Sequence, residues 1–141
     1  IRGSKYTAGA VLVIGGAPGF IGAPLMTALA ALRASAGVAW IAAPGEVVPA
    51  LEGRVPEIMV RALPDALELL VRADAVALGP GLGRSDEAVA LARRVAAEHA
   101  GPVVIDADGL FARREAGVDA AALGVASIAA VATSLATLSS V

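Results

Sequence analysis

Two glycine-rich turns and a pair of aspartates are the residues of this 141-residue chain whose types and spacing could do chemistry. The first turn, Gly16-x-x-Gly19-x-x-Gly22, follows an apolar run and precedes a stretch of good helix formers. Glycines in that place remove Cβ atoms, so the backbone can turn sharply and approach a ligand closely. A helix start behind them offers N–H groups and the positive end of a dipole, which suits phosphate. The same spacing also serves a tight strand-to-helix turn with no ligand. The second turn, Leu78-Gly79-Pro80-Gly81-Leu82-Gly83, places three glycines and a rigid proline after another apolar run. Gly81 and Gly83 are the expected points of close ligand approach there. Asp106 and Asp108 follow the apolar triplet Val103-Val104-Ile105. Asp106 in particular is expected to face a cleft, although an aspartate in such a place can equally cap the next helix or accept backbone N–H bonds.

These features need a scaffold. Residues 10–14 (AVLVI) read as a strand buried on both faces. A helix is expected over 23–34, a strand over 38–42 closed by Pro44-Gly45, and a helical turn over 47–51. A short strand over 57–61 comes next, then a helix over 64–72 with Pro64 in its first turn. A strand over 75–78 precedes the second glycine turn. Ser85 is placed to cap a helix running to about His99, with Asp86 and Glu87 in its first turn. The strand at 103–105 ends the series. Strands alternating with helices at this spacing point to an α/β fold, a doubly wound or three-layer α/β/α sheet with mostly parallel strands. Ligands of such sheets bind at the carboxyl ends of the strands. Both glycine turns and both aspartates fall on that one edge.

Composition narrows the function. The net charge is −2, so there is no basic footprint for nucleic acid. Absence of cysteine excludes disulfides and thiolate metal sites, and the single histidine, His99, cannot build a multi-histidine metal site; no metal ligand is assigned. Aromatics are 3% of residues, so small aliphatic side chains must fill the core. Mean hydropathy is +0.77, and residues 120–141 are uncharged over about the 20 residues that span a bilayer. That stretch is rich in Ala, Ser and Thr and has no basic flank, so it reads as a buried helix, and the chain as cytoplasmic and without membrane contact.

GGAPGFIG, residues 15–22, resembles the nucleotide loop of extended short-chain dehydrogenases. Such an enzyme needs an acid near the end of the second strand to hold a ribose hydroxyl, yet no acid appears before Glu46. It also needs a Tyr-x-x-x-Lys pair, whereas the only tyrosine and lysine are Tyr6 and Lys5, upstream of the loop. A wider set of motifs resembles the NAD(P)H-hydrate dehydratase family. Lys5-Tyr6-Thr7-x-Gly9 and VLVIGGAPGFIGAP at 11–24 look like its opening. Ala31-Leu32-Arg33-Ala34-Ser35-Ala36-Gly37 is similar to its A-L-R-x-G-A-G segment, with Ser35 where a glycine is usual. Pro56-Glu57-x-Met59, Gly79-Pro80-Gly81-Leu82-Gly83 and Asp106-Ala107-Asp108-x-Leu110 follow in the family's order.

The resemblance implies a ribokinase-like fold and repair of hydrated NADH or NADPH, with ADP or ATP and Mg²⁺ as phosphate donor and counter-ion. It implies that Gly22, Ala23, Gly81, Gly83 and Asp106 face the hydrated dinucleotide, and that Lys5, Gly16 and Gly19 face the nucleotide cofactor. It also implies a homo-oligomer. The family's Thr-Pro-His-Pro-Gly-Glu and Gly-Thr-Gly-Asp segments have no counterpart here, so no catalytic residue is assigned. The expectation is one ribokinase-like domain over 1–141 lacking an internal segment, spliced between about Phe111 and Gly117. A dehydrogenase-like NAD(P)-binding domain and a non-catalytic α/β module remain the alternatives.

Overall fold

The computed structural model describes residues 8–114. Strands β1 (Ala10–Ile14), β2 (Val38–Ala43), β3 (Ile58–Ala62), β4 (Ala75–Leu78) and β5 (Val103–Ile105) form one parallel sheet. Their order is β3-β2-β1-β4-β5. The first strand is therefore central. The chain builds outward from it through β2 and β3, then crosses to its other side for β4 and β5. The direction of winding reverses between β1 and β4, and the carboxyl ends of those two strands carry the two glycine turns.

Helices cover both faces of the sheet, as the alternating sequence requires. Helix α1 (Gly22–Arg33) and the short α2 (Val48–Leu51), which continues a 3₁₀ turn over Gly45–Val47, lie on one face. There Val13, Ala39, Ile41, Val60 and Leu51 pack together, with Leu25, Leu29 and Leu32 of α1 laid against them. On the other face lie a 3₁₀ helix (Asp65–Val71), α3 (Asp86–Glu98) and α4 (Asp108–Arg114). Leu12, Ile14, Trp40, Val76, Leu78 and Ile105 meet Leu70, Ala92, Val95 and Ala112 there. Leu12, Val13 and Ile14 are wholly buried, which is why β1 reads as an unbroken apolar run rather than an alternating one. Each such side chain contributes about 1.5–3 kcal/mol through burial.

The expected elements are present, with three instructive differences. The 64–72 helix is a 3₁₀ helix that begins after Pro64; its bonds include Leu67 N–H to Pro64 and Arg72 N–H to Leu69. Short connectors between strands often tighten in this way. Helix α4 was not anticipated, because the apolar period after Asp108 is too short to read. Ser85 caps α3 as expected, its hydroxyl accepting the Ala88 N–H at 3.2 Å. A backbone hydrogen bond and, after it, the same hydroxyl lower the Glu87 carboxyl pKa from its ordinary value.

The third difference concerns the end of α1. Ser35 N–H bonds the Leu32 carbonyl and Ala36 N–H bonds that of Ala31, the paired bonds of a Schellman motif. Ser35 sits in the middle of it at φ +79°, where a Cβ costs about 1–2 kcal/mol. The unusual serine in this segment is thus a strained stand-in for glycine. Ser35→Gly is expected to stabilise the protein by about 1 kcal/mol, read as a raised urea midpoint at unchanged slope.

Candidate functional site

The two glycine turns are bonded to each other. Gly16 N–H is shared between the carbonyls of Pro80 (3.1 Å) and Gly81 (2.9 Å), and Ala17 N–H bonds Gly81 at 2.6 Å. Gly15 N–H goes to Ala42 at the end of β2, and Gly79 N–H to Ile14 at the end of β1. Side chains at several of these glycines would drive the turns apart. A Cβ on Gly15 would overlap the Pro80 carbonyl, and one on Gly81 would lie 2.9 Å from the Phe20 Cβ. Gly81 also has φ +61°. The turns therefore close over the switch point as a single backbone layer.

This contact redistributes what the first turn can offer a ligand. Gly16 is buried, with its α-carbon facing Pro24 and Ala43, and its amide is already engaged. What Gly16 contributes here is close packing. Gly19 and Gly22 are exposed, and nothing lies within 4 Å of a Cβ built on either. Gly22 and Ala23 open α1. Its N-cap residue, Ile21, supplies no side-chain bond, and no acid lies in the first turn. A helix start without a cap leaves N–H groups directed outward with the positive end of the dipole behind them. An anion is the ligand that such an end favours.

The aspartates divide their roles. Asp106 N–H continues the sheet to Leu78 and its carbonyl accepts from Gly109, so its backbone is structural. Its side chain is half-buried and makes no hydrogen bond or ion pair with another described residue. Asp108 is committed within the protein: its Oδ2 accepts the Gly83 N–H at 3.0 Å and its Oδ1 accepts Arg84 Nε at 3.0 Å. The plainer reading of Asp108 describes what its side chain does. Two residues that sequence reading passed over also stand at this edge. Phe20 is 62% exposed beside Gly81, and its place inside a glycine turn was the available signal. Arg84 lies over the Phe111 ring at 4.7 Å, a contact that depends on α4 and so left no trace in the sequence. Lys5 lies outside the described residues, as do residues 115–141, which include the end of the expected splice and the apolar tail.

Among the described residues, two hollows lie elsewhere. One, of about 310 Å³, lies beside His99 and the 3₁₀ helix, and one of about 480 Å³ lies beside Trp40 and Arg72. Neither includes a glycine turn. Among the described residues no helix is long and apolar enough to cross a membrane, and no cluster of three or more acids or histidines could hold a metal ion.

With this edge described, comparison with known proteins is informative. The family model for NAD(P)H-hydrate dehydratase matches residues 11–125. The chain belongs to the NAD(P)H-hydrate dehydratase family. A bifunctional NAD(P)H-hydrate repair enzyme of Salinibacter ruber is 40% identical over 122 residues, which are 77% of this chain and 22% of that protein. An ATP-dependent (S)-NAD(P)H-hydrate dehydratase of Ixodes scapularis is 40% identical over 111 residues, 76% of this chain and 36% of that protein. A ribokinase-like protein of Enterococcus faecalis superposes with a TM-score of 0.74 at 26% identity, covering 83% of this chain and 43% of that one. The ADP/ATP-dependent NAD(P)H-hydrate dehydratase of Bacillus subtilis, co-crystallised with ATP/Mg²⁺, gives 0.59 at 28% identity, covering 77% and 40%. The fold is ribokinase-like, and the chain spans well under half the length of each of these relatives.

The interlocked turns make a direct prediction for this family member. Gly81→Ala must accommodate both a left-handed backbone and an overlap with Phe20, for a cost of about 2–4 kcal/mol. Gly19→Ala, at φ +84° but in open space, should cost only about 1–2 kcal/mol. Urea denaturation of both variants checks the order; equal costs would mean that the turns are not in contact.

Proposed function

We propose that this chain carries a ligand-binding part of an ADP- or ATP-dependent NAD(P)H-hydrate dehydratase, acting on hydrated NADH or NADPH to restore the reduced coenzyme. The observation that carries the proposal is the uncapped start of α1 at the switch point, flanked by the family's two glycine turns. Gly22 and Ala23 would face a phosphate of the dinucleotide, Gly81 and Gly83 would let it lie close, and Asp106 would face the same ligand. Gly19 offers open backbone beside them, and Lys5 is proposed with Gly19 on the nucleotide cofactor's side, with Gly16 packing the turn behind them. In the proposed reaction a phosphoryl group activates the ring hydroxyl, which then leaves as phosphate. Mg²⁺ would neutralise charge on the nucleotide's phosphates.

The chain's own residues would bind and orient; the base and the anion hole belong to the segments without counterpart in this sequence. The proposal includes that internal gap, with its splice between about Phe111 and Gly117. The 141-residue chain is therefore expected to bind nucleotide without turning over hydrated NADPH. ADP-dependent recovery of NADPH absorbance by this chain would contradict the gap. The proposal extends to a cytoplasmic homo-oligomer; β3 and β5 are the outermost strands of the described sheet, and an edge strand favours association when left bare.

A single substitution separates phosphate binding from fold. Gly22→Glu puts a carboxylate in the first turn of α1, where it should stabilise the helix by about 0.3–1 kcal/mol. The same charge should repel a bound phosphate and weaken ADP and NADPH binding by about tenfold, on the scale of a charge interaction near a protein surface. Calorimetric titration of both ligands checks this. Unchanged affinity would remove α1 from the site.

A further inference from the structure

Asp108 begins α4, but its carboxylate reaches back 24 and 25 residues to the second glycine turn. One oxygen holds the Gly83 N–H and the other holds the Arg84 side chain, each at 3.0 Å. The Arg84 guanidinium lies over Phe111, one helical turn along α4. A carboxylate and an aromatic ring of one short helix thus grip the end of the turn from two directions. The gripped residue also touches the first turn: a Cβ on Gly83 would lie 3.2 Å from that of Ala17. Leu82, just before it, is buried in the core. Movement of Gly83 would therefore shift Gly81, whose carbonyl holds the amides of Gly16 and Ala17.

The ion pair itself adds little stability. The Arg84 side chain is 64% exposed and that of Asp108 is 21% exposed, and exposed pairs of this kind contribute about 0–1 kcal/mol. The bond to a backbone N–H is different in kind, because it sets the position of the turn rather than of a side chain. We propose that Asp108 is a positioning residue for the ligand edge: through Gly83 and Arg84 it holds the 79–83 turn at the height where a phosphate-bearing dinucleotide meets it. The inference rests on reading that edge as the ligand site. Asp108 itself touches no ligand in this account.

The test uses the full 141-residue chain, with Asp108→Ala, Asp108→Asn and Arg84→Lys. NADPH fluorescence titration reads affinity, amide hydrogen exchange reads Gly83, and thermal melting reads the fold. In Asp108→Ala the Gly83 amide should exchange about tenfold faster and NADPH should bind about tenfold more weakly, the scale of one charge-assisted hydrogen bond. Asp108→Asn keeps an oxygen for Gly83 and should restore most of both. Arg84→Lys, a change on an exposed side chain, should move both in the same direction by less.

Faster exchange at Gly83 with NADPH affinity within about twofold of wild type, well below that scale, would make the bond merely structural and overturn the proposal. Unchanged exchange in Asp108→Ala would overturn it as well. A wild-type chain that binds no NADPH would overturn the functional reading of the edge, while exchange at Gly83 would still decide whether Asp108 holds the turn. If Asp108→Ala fails to fold, Arg84→Lys decides on the same two readouts.

Discussion

The three hydrogen bonds from Gly16 and Ala17 to the Pro80 and Gly81 carbonyls are the constraint on which the rest of the site depends. They join turns 64 residues apart in sequence, and they can form only because no Cβ stands between the backbones. Once they form, the switch point is roofed by main chain. The carboxyl ends of β1 and β4 are held in register, and α1 must leave the layer at a fixed angle. Buried backbone groups require partners, and here each turn supplies the other's.

That constraint also decides what the edge can do. A glycine turn whose amides all pointed outward would be a phosphate cradle by itself. Here Gly16 and Ala17 have given their amides to the second turn, so anion attraction moves onward along the chain, to the uncapped start of α1 at Gly22 and Ala23. The second turn contributes shape through Gly81 and support through Gly83, which Asp108 holds in place. The dehydrogenase-like alternative loses ground on the same geometry. The β2 strand ends at Ala43, followed by Pro44, and Glu46 is exposed in the 3₁₀ turn beyond, leaving no carboxylate at the strand end for a ribose.

Much of the fold was legible because its signals were local. Apolar runs punctuated by Gly and Pro marked every strand of the sheet to within a residue or two, and Ser85 with two acids marked the start of α3. The glycine turns were legible as turns, and their placement on one edge followed from parallel topology. What the sequence could not display was pairing between turns, since the partners of Gly16 lie far away in the chain. It suggested Gly16 as a ligand contact on type and spacing alone. Ser35 stood out in the sequence only as a serine where glycine is usual; the left-handed backbone at φ +79° supplies the physical reason. Asp106 and Asp108 looked alike in sequence and differ because only Asp108, on the first turn of α4, can reach Gly83.

The central claim is that this edge, and not the hollows beside His99 or Trp40, receives a phosphate-bearing ligand. Backbone amide shifts of the isotopically labelled chain, followed during titration with NADPH, test it most directly. The account predicts that the largest changes cluster at Phe20, Gly22, Ala23, Gly81 and Asp106, at the carboxyl ends of β1, β4 and β5. Changes centred on His99 and the 3₁₀ helix, or no change at any amide, would contradict it.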